Sequence, residues 1–293
     1  MAHHLAKLLW GYVRVFNGLA LGLMMLVLGC TAPQTPTVSR HKSDRPKRIV
    51  SLDYCADQFV LKLADRQDIL ALSPDATREF SYLRRQAVGI QQVRPTAEDV
   101  LALQPDLIVR SYGGGPTASA FFERAGVKVH QIGWGNDFEA VRKNVREAAQ
   151  ALGQAPRGTI VIAEFDRRLD SIKPAPNVTT LYMTSGGVTT GTGSMIDLMM
   201  TRAGLKNFQQ GAGWNPLPLE RLVSDKPDMI ATAFFGAFDL TLNNWSSSRH
   251  YVAQEVMRTV PVAALDGSTT ACAGWFVMDG VETLARSGRQ VQP

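Results

Sequence analysis

Apolar runs and amphipathic stripes alternate along most of the chain. Arg48–Leu52, "RIVSL", is a short apolar run with polar flanks and predicts a buried strand. "ADQFVLKLA" follows with helical spacing at Phe59, Val60 and Leu63, and "ILALS" predicts a second strand. "TAEDVLALQ" predicts a helix with Thr96 as its N-cap and Glu98 and Asp99 in its first turn, ended by Pro105. "DLIVRS" and "VKVHQIG" predict two further strands, separated by the helix "TASAFFERAG" that Gly126 closes. From Asp137 to Leu152 an apolar stripe of Phe138, Val141, Val145 and Ala148 predicts another helix. Ile162, Phe165, Leu169 and Ile172 then recur at steps of three, four and three, the pattern of one long amphipathic helix that Pro174 and Pro176 stop.

Past that helix the alternation restarts. "VTTLYMTS", "DMIATAFF" and "VAALD" predict strands, and "GSMIDLMMTRAG", "PLERLVSDK", "SRHYVAQEVMRTV" and "WFVMDGVETLAR" predict helices. Strand and helix in turn argue for parallel sheets with helices on their faces. The expected fold is α/β: two Rossmann-like lobes, residues 48–153 and 175–293, joined by a single long helix at 154–174. One phrase occurs once per lobe. In "PTAEDVLALQPDLIV" and "PLPLERLVSDKPDMIA" a Glu (Glu98, Glu220) stands seven residues before a Pro-Asp pair (Pro105-Asp106, Pro227-Asp228), and the pair is expected to end its helix.

The front end differs from the rest. Residues 1–17 carry Lys7 and Arg14 and no acid, and the apolar run Gly18–Gly29 precedes Cys30. This predicts a secretory leader at 1–29 and a flexible tether at 30–47. The run falls short of the ~20 apolar residues that span a bilayer. "VLGC" resembles the bacterial lipobox, which implies acylation of Cys30.

Charge excludes one class of partner. Of 31 basic residues the leader takes Lys7 and Arg14, so 29 face 26 acids, and no basic stripe points to nucleic acid. Catalysis finds no signature either. The glycine-rich "SGGVTTGTGS" lacks phosphate-loop spacing and reads as a loop lining a cleft. Asp53 and Asp266, each after a predicted strand, could pair as acid and base, but no nucleophile motif accompanies them. No enzyme, no cofactor and no metal site is expected. Only His130 and His250 belong to the folded part, and a cluster of Cys55, Cys272 and His130 is the remaining metal alternative. The same two cysteines could instead form a disulfide or stay as buried thiols.

Aromatic residues are more informative. Tyr54, Tyr112, Trp134, Phe235 and Trp275 fall just beyond predicted strand ends, and Trp214 lies six residues before Glu220. Open α/β sheets bind ligands outside the carboxyl ends of their strands. A cleft of this kind, aromatic and poor in charge, suits a large, partly apolar ligand.

From Arg48 to about Arg286 the chain resembles the periplasmic binding proteins of iron-chelate and cobalamin ABC importers. The resemblance is carried by "RIVSL", "LQPDLIV" after a Glu-bearing helix, the single linking helix, "TGTGSMIDLMMTRAG" and "PLERLVSDKPDMIA". It implies a monomeric, exported, bilobed protein of the periplasm with no catalytic step. Such a protein captures a metal chelate, a ferric siderophore or a corrinoid, between its lobes and hands it to the permease subunits of the inner membrane. Glu98 and Glu220 would be the docking points, one per lobe. The cobalamin branch implies stacking near Tyr112 and Trp214, although "GIQQVRP" lacks the further Trp of that branch. The hydroxamate-siderophore branch implies a cleft Arg, for which Arg78 and Arg110 are the candidates. Cys55 and Cys272 would lie toward the cleft, as a bridge that would lock the lobes or as a soft contact to the ligand. The alternative is an exported two-lobed enzyme acting on a sugar or nucleotide.

Overall fold

A computed structural model describes residues 45–175, 177–234 and 246–291. The expected leader, Cys30 and most of the expected tether lie outside the described residues, as does Phe235. The first lobe holds strands β1 (Ile49–Ser51), β2 (Ile69–Ala71), β3 (Leu107–Arg110) and β4 (Lys128–Gln131) in the order β2-β1-β3-β4, all parallel. Every residue of β1 and β3 is buried, because helices cover both faces of a parallel sheet. The helices are α1 (Tyr54–Leu63), α2 (Arg84–Ala87), α3 (Ala97–Ala102), α4 (Ala118–Arg124) and α5 (Phe138–Ala151). Thr96 and Asp137 cap α3 and α5 through their side chains. Arg45, expected in the tether, is ion-paired with Asp65 and Asp68, so the folded lobe already includes it.

Helix α6 (Ala155–Ser171) leads to the second lobe. Its Phe165 meets Phe138 of α5 edge to face at 5.8 Å, and Gly158 lets the two helices touch, since a Cβ there would lie 2.4 Å from that of Ala149. The second sheet has the order β10-β9-β5-β7, again parallel, from β5 (Val178–Thr184), β7 (Leu205–Asn207), β9 (Met229–Phe234) and β10 (Val262–Asp266). Between these come β6 (Val188–Thr190) and β8 (Trp214–Pro216), which form a two-stranded antiparallel ribbon. The glycine-rich stretch is therefore partly strand, not only loop. Gly191 makes the turn into the ribbon possible: a Cβ there would sit 1.9 Å from the Gly211 carbonyl oxygen. Helices α7 (Met195–Arg202), α8 (Leu219–Ser224), α9 (Tyr251–Thr259) and α10 (Val277–Val291) complete the lobe.

The repeated Pro-Asp pairs do more than stop helices. The Asp106 N–H donates to the Arg48 carbonyl (2.9 Å), while its carboxylate accepts from the N–H groups of Arg48 (3.1 Å) and Lys47 (2.8 Å). Asp228 does the same one lobe later, donating to the Thr179 carbonyl and accepting from the Thr179 N–H, both at 2.8 Å. Each Asp thus fixes the register between the strand it precedes and the first strand of its lobe. These are β3 on β1 and β9 on β5.

One apolar cluster runs through both lobes, joining Phe59, Val141 and Phe165 to Trp275, Phe276 and Val281. The described residues of both lobes accordingly belong to a single compact unit.

Candidate functional site

Asp53 organises the carboxyl ends of β1 and β3. One carboxylate oxygen caps α1 by accepting from the Ala56 N–H (2.9 Å). The other accepts from three consecutive N–H groups, Ser111 (2.6 Å), Tyr112 (3.0 Å) and Gly113 (2.9 Å). At 3% exposure and with its oxygens so engaged, Asp53 holds backbone rather than moving protons. Asp266 is similarly occupied, accepting from the Ser268 N–H at 3.0 Å. The sequence-level acid–base pairing of these two residues is therefore not what they do.

This arrangement sets Tyr54, first residue of α1, beside Tyr112, with ring centroids 6.1 Å apart. Burial raises both phenol pKa values above the ordinary range, and the neighbouring Asp53 adds to it. Both therefore stay neutral near pH 7. Arg110 is buried and donates to the carbonyls of Gly113 and Gly115 and to the Ser119 hydroxyl, each at 2.8 Å. It shapes the Tyr112 loop and is not a cleft arginine waiting for an anion.

After β4 the chain runs Gly133-Trp134-Gly135-Asn136. The Asn144 side chain grips this loop from α5, accepting from the Gly133 N–H (3.1 Å) and donating to its carbonyl (2.9 Å). Trp134 is left 81% exposed. From the second lobe come Trp214 of β8, 63% exposed, the first turn of α7 with Ser194, Met195 and Ile196, and the loop Thr270–Ala273. Together these groups enclose a cleft of about 280 Å³. Among the described residues, its lining has no Asp, Glu, Lys, Arg or His. Tyr112 at 44% exposure, Trp134 and Trp214 are large apolar faces with little covering them, which makes them candidates for a recognition surface.

Cys55 and Cys272 also line this cleft and are joined by a disulfide, with Cα atoms 5.6 Å apart across 217 residues of sequence. That removes the alternatives of free thiols and of a Cys-Cys-His130 metal cluster. Among the described residues no group of three His, Cys, Asp or Glu could hold a metal ion.

Two expected site residues are elsewhere. Trp275 is 8% exposed and packs edge-on against Phe59 (5.6 Å) and Phe276 (5.2 Å). The 3-10 turn Gly267–Thr269 and the bridged Cys272 carry the chain past the cleft before Trp275, which ends in the core. Arg78 is exposed and does not line the cleft. Asn144 was missed, although a polar residue next to the Val141–Val145 stripe of an amphipathic helix is the signal that could have found it. A larger, open depression of about 990 Å³ lies around Asp65, Arg66 and Arg157. Its charges are already engaged: Arg157 with Asp65 at 2.8 Å, and Arg66 with the carbonyls of Gln86 and Val88, both at 2.6 Å. It also abuts Ile69 at the amino end of β2, the wrong end of the sheet for the usual α/β ligand site.

Glu98 and Glu220 are exposed in the first turns of α3 and α8. The charges next to them are taken: Asp99 by Arg94 (2.7 Å), and Arg221 by Asp225 (2.8 Å) and the ring of Phe208 (3.6 Å). Neither Glu has an ion pair among the described residues.

A family model described as periplasmic binding protein matches residues 49–265. A cobalamin-binding protein of Halobacterium salinarum is 24% identical over 213 residues, 69% of this chain. The chain spans 58% of the length of that curated relative. Among solved structures, a periplasmic heme-binding protein from Pseudomonas aeruginosa is similar with a TM-score of 0.63 and 22% identity, covering 84% of this chain and 93% of the other. A periplasmic vitamin B12-binding protein of Vibrio cholerae has a TM-score of 0.60 and 17% identity, covering 84% and 98%. At these identities the likeness of the structures is one of fold.

Proposed function

We infer the function from one premise: the chain belongs to the periplasmic binding protein family. It is the substrate-binding component of an ABC importer and has no catalytic step. It captures a metal chelate in the cleft between its lobes and delivers it to a membrane permease. The observation that carries this is the trio of exposed aromatic faces, Tyr112, Trp134 and Trp214, set around a cleft with no charged lining among the described residues. Burying about 100 Å² on each face would contribute roughly 2–3 kcal/mol per ring, enough in sum for useful affinity after the cost of association.

An uncharged lining favours a chelate with a neutral periphery and a metal that already has its full set of ligands, such as a corrinoid. An anionic ferric siderophore or a heme would ask for cationic or imidazole groups that the described lining does not offer. Glu98 and Glu220, on separate lobes and without an ion pair among the described residues, serve as the two handles for the permease subunits. The leader at 1–29 sends the chain to the periplasm, acylation of Cys30 tethers it there, and it works as a monomer. The enzyme alternative has no support, since Asp53 and Asp266 hold backbone and part of the glycine-rich segment, Val188–Thr190, is a ribbon strand.

The test is a titration of the purified mature protein with cyanocobalamin, a ferric hydroxamate, a ferric catecholate and heme, followed by tryptophan quenching. Saturable quenching by cyanocobalamin, weakened at least tenfold in W134A/W214A, is the expected result. Absence of saturable quenching by any chelate would overturn the reading.

A further inference from the structure

The segment Thr270–Asp279 belongs to the second lobe by sequence but is fastened to the first. Cys272 is bonded to Cys55 of α1, and the Ala273 carbonyl accepts from Asn144 of α5 at 3.2 Å. Trp275 packs on Phe59, Phe276 stacks on Tyr82 with centroids 4.8 Å apart, and Asp279 accepts from the Tyr82 hydroxyl at 2.6 Å. Asp279 is also held by Arg168 of the linking helix at 2.6 Å. Within this clasp Cys272 has φ +62°, a left-handed conformation that non-glycine residues enter only when their surroundings hold them there. Both cysteines line the ligand cleft, and Cys55 is otherwise buried at 5% exposure.

We propose that the Cys55–Cys272 bridge is a redox lock on the cleft, shielded by the ligand that the cleft holds. Oxidised, the bridge fixes the spacing of the lobes at the cleft wall, so the site is preformed for capture. A dithiol entering the empty cleft attacks one sulfur, forming a mixed disulfide and releasing one cysteine thiolate. Its second thiol then displaces the other cysteine, so that two electrons and two protons pass to the protein and the dithiol leaves as a disulfide. The lobes stay joined by α6 and the remaining contacts of the clasp, but the cleft width is no longer fixed covalently. A bound ligand covers the path to the sulfurs and slows their attack, and the reduced protein, its cleft no longer preformed, binds that ligand more weakly. This rests on the chelate reading of the same cleft.

The experiment measures the rate of dithiothreitol reduction of the full mature protein, trapped by alkylation and read by mass, with and without cyanocobalamin. If only the free protein is attacked, ligand at about ten times its Kd slows reduction about tenfold. The C55S/C272S variant is expected to bind cyanocobalamin roughly tenfold more weakly, within the usual range for coupled sites. Equal reduction rates with and without bound ligand, or unchanged affinity in the folded variant, would overturn the lock. Where the serine variant does not fold, C55A/C272A and the reduced, alkylated wild type replace it. Loss of helical circular dichroism in all three would show a folding staple and likewise refute the proposal. If no chelate quenches the oxidised protein, the chelate reading fails on its own, and the lock is judged by amide hydrogen exchange. Faster exchange across residues 270–279 on reduction supports it, and unchanged exchange overturns it.

Discussion

Replacing Asp53 with Ala should damage both stability and binding, through one set of hydrogen bonds. The substitution removes the N-cap of α1, worth about 1 kcal/mol. It also strips the N–H groups of Ser111, Tyr112 and Gly113 of a shared acceptor at 2.6–3.0 Å. Ser111 is itself buried, and each buried donor left without a partner costs about 1–3 kcal/mol. Water entering the cleft can rescue the Tyr112 N–H, which is only part-buried, so two orphaned donors and one lost cap give about 3–7 kcal/mol. That is a large share of the 5–15 kcal/mol typical of a folded domain. Asp53→Asn keeps the shape but must point an NH2 at one group of donors, so it should lose about 2 kcal/mol. Urea unfolding followed by circular dichroism gives both values. Where the protein remains folded, the Tyr54–Tyr112 pair is no longer held in place, and chelate affinity should fall at least tenfold. An Asp53→Ala protein within 0.5 kcal/mol of wild type, with unchanged affinity, would show that the carboxylate does not organise the site.

Three other outcomes follow from the same geometry. Asp57 is fully buried, and burial pushes its pKa up to about 7 from 3.8, against the hydrogen bonds it accepts from Ser73. The native state therefore holds this proton more tightly than the unfolded chain, so the stabilisation is complete below about pH 4 and is lost as pH rises through about 7, with a ceiling of about 4 kcal/mol. Asp57→Asn should flatten that slope in urea midpoints taken between pH 4.5 and 7.5; parallel curves for the two proteins would refute the assignment. Asp106→Ala and Asp228→Ala should each cost about 1–3 kcal/mol by unpairing strand-start N–H groups, and hydrogen exchange should rise in β1 for the first and in β5 for the second. A uniform rise in both lobes would contradict separate register clamps. Glu98→Ala with Glu220→Ala should abolish uptake by cells while leaving chelate affinity within twofold; normal uptake by a folded, exported double variant would remove the docking role.

The architecture was legible because it rests on local pattern. Alternating apolar strands and amphipathic helices are short-range signals, and Thr96 caps its helix where the sequence placed it. Tyr54, Tyr112 and Trp134 follow from the rule that parallel strands point their carboxyl ends at the ligand site, and Trp214 from its interval before Glu220; all four line the cleft. Trp275 fails that rule because a turn and a long-range bridge intervene between its strand and its side chain, and neither has a short-range signature. Arg110 fails for a related reason. Its partners, Gly113, Gly115 and Ser119, lie close in sequence, but only the folded loop shows that their oxygens converge on the guanidinium.

The repeated phrase separates two kinds of acid that sequence alone treats alike. Asp106 and Asp228 carry the same backbone-binding geometry in both lobes, so folding alone accounts for them. Glu98 and Glu220 occur in the same register, yet neither has a partner among the described residues. An acid in the first turn of a helix gains a few tenths of a kcal/mol to about 1 kcal/mol from the helix dipole, and any first-turn position provides this. Asp99 already fills that role in α3 while pairing with Arg94. Stability therefore explains an acid somewhere in each first turn but not the matched position of two exposed, unpaired ones. The proposed docking, with two permease surfaces each needing one carboxylate at the same place on its lobe, would account for that match.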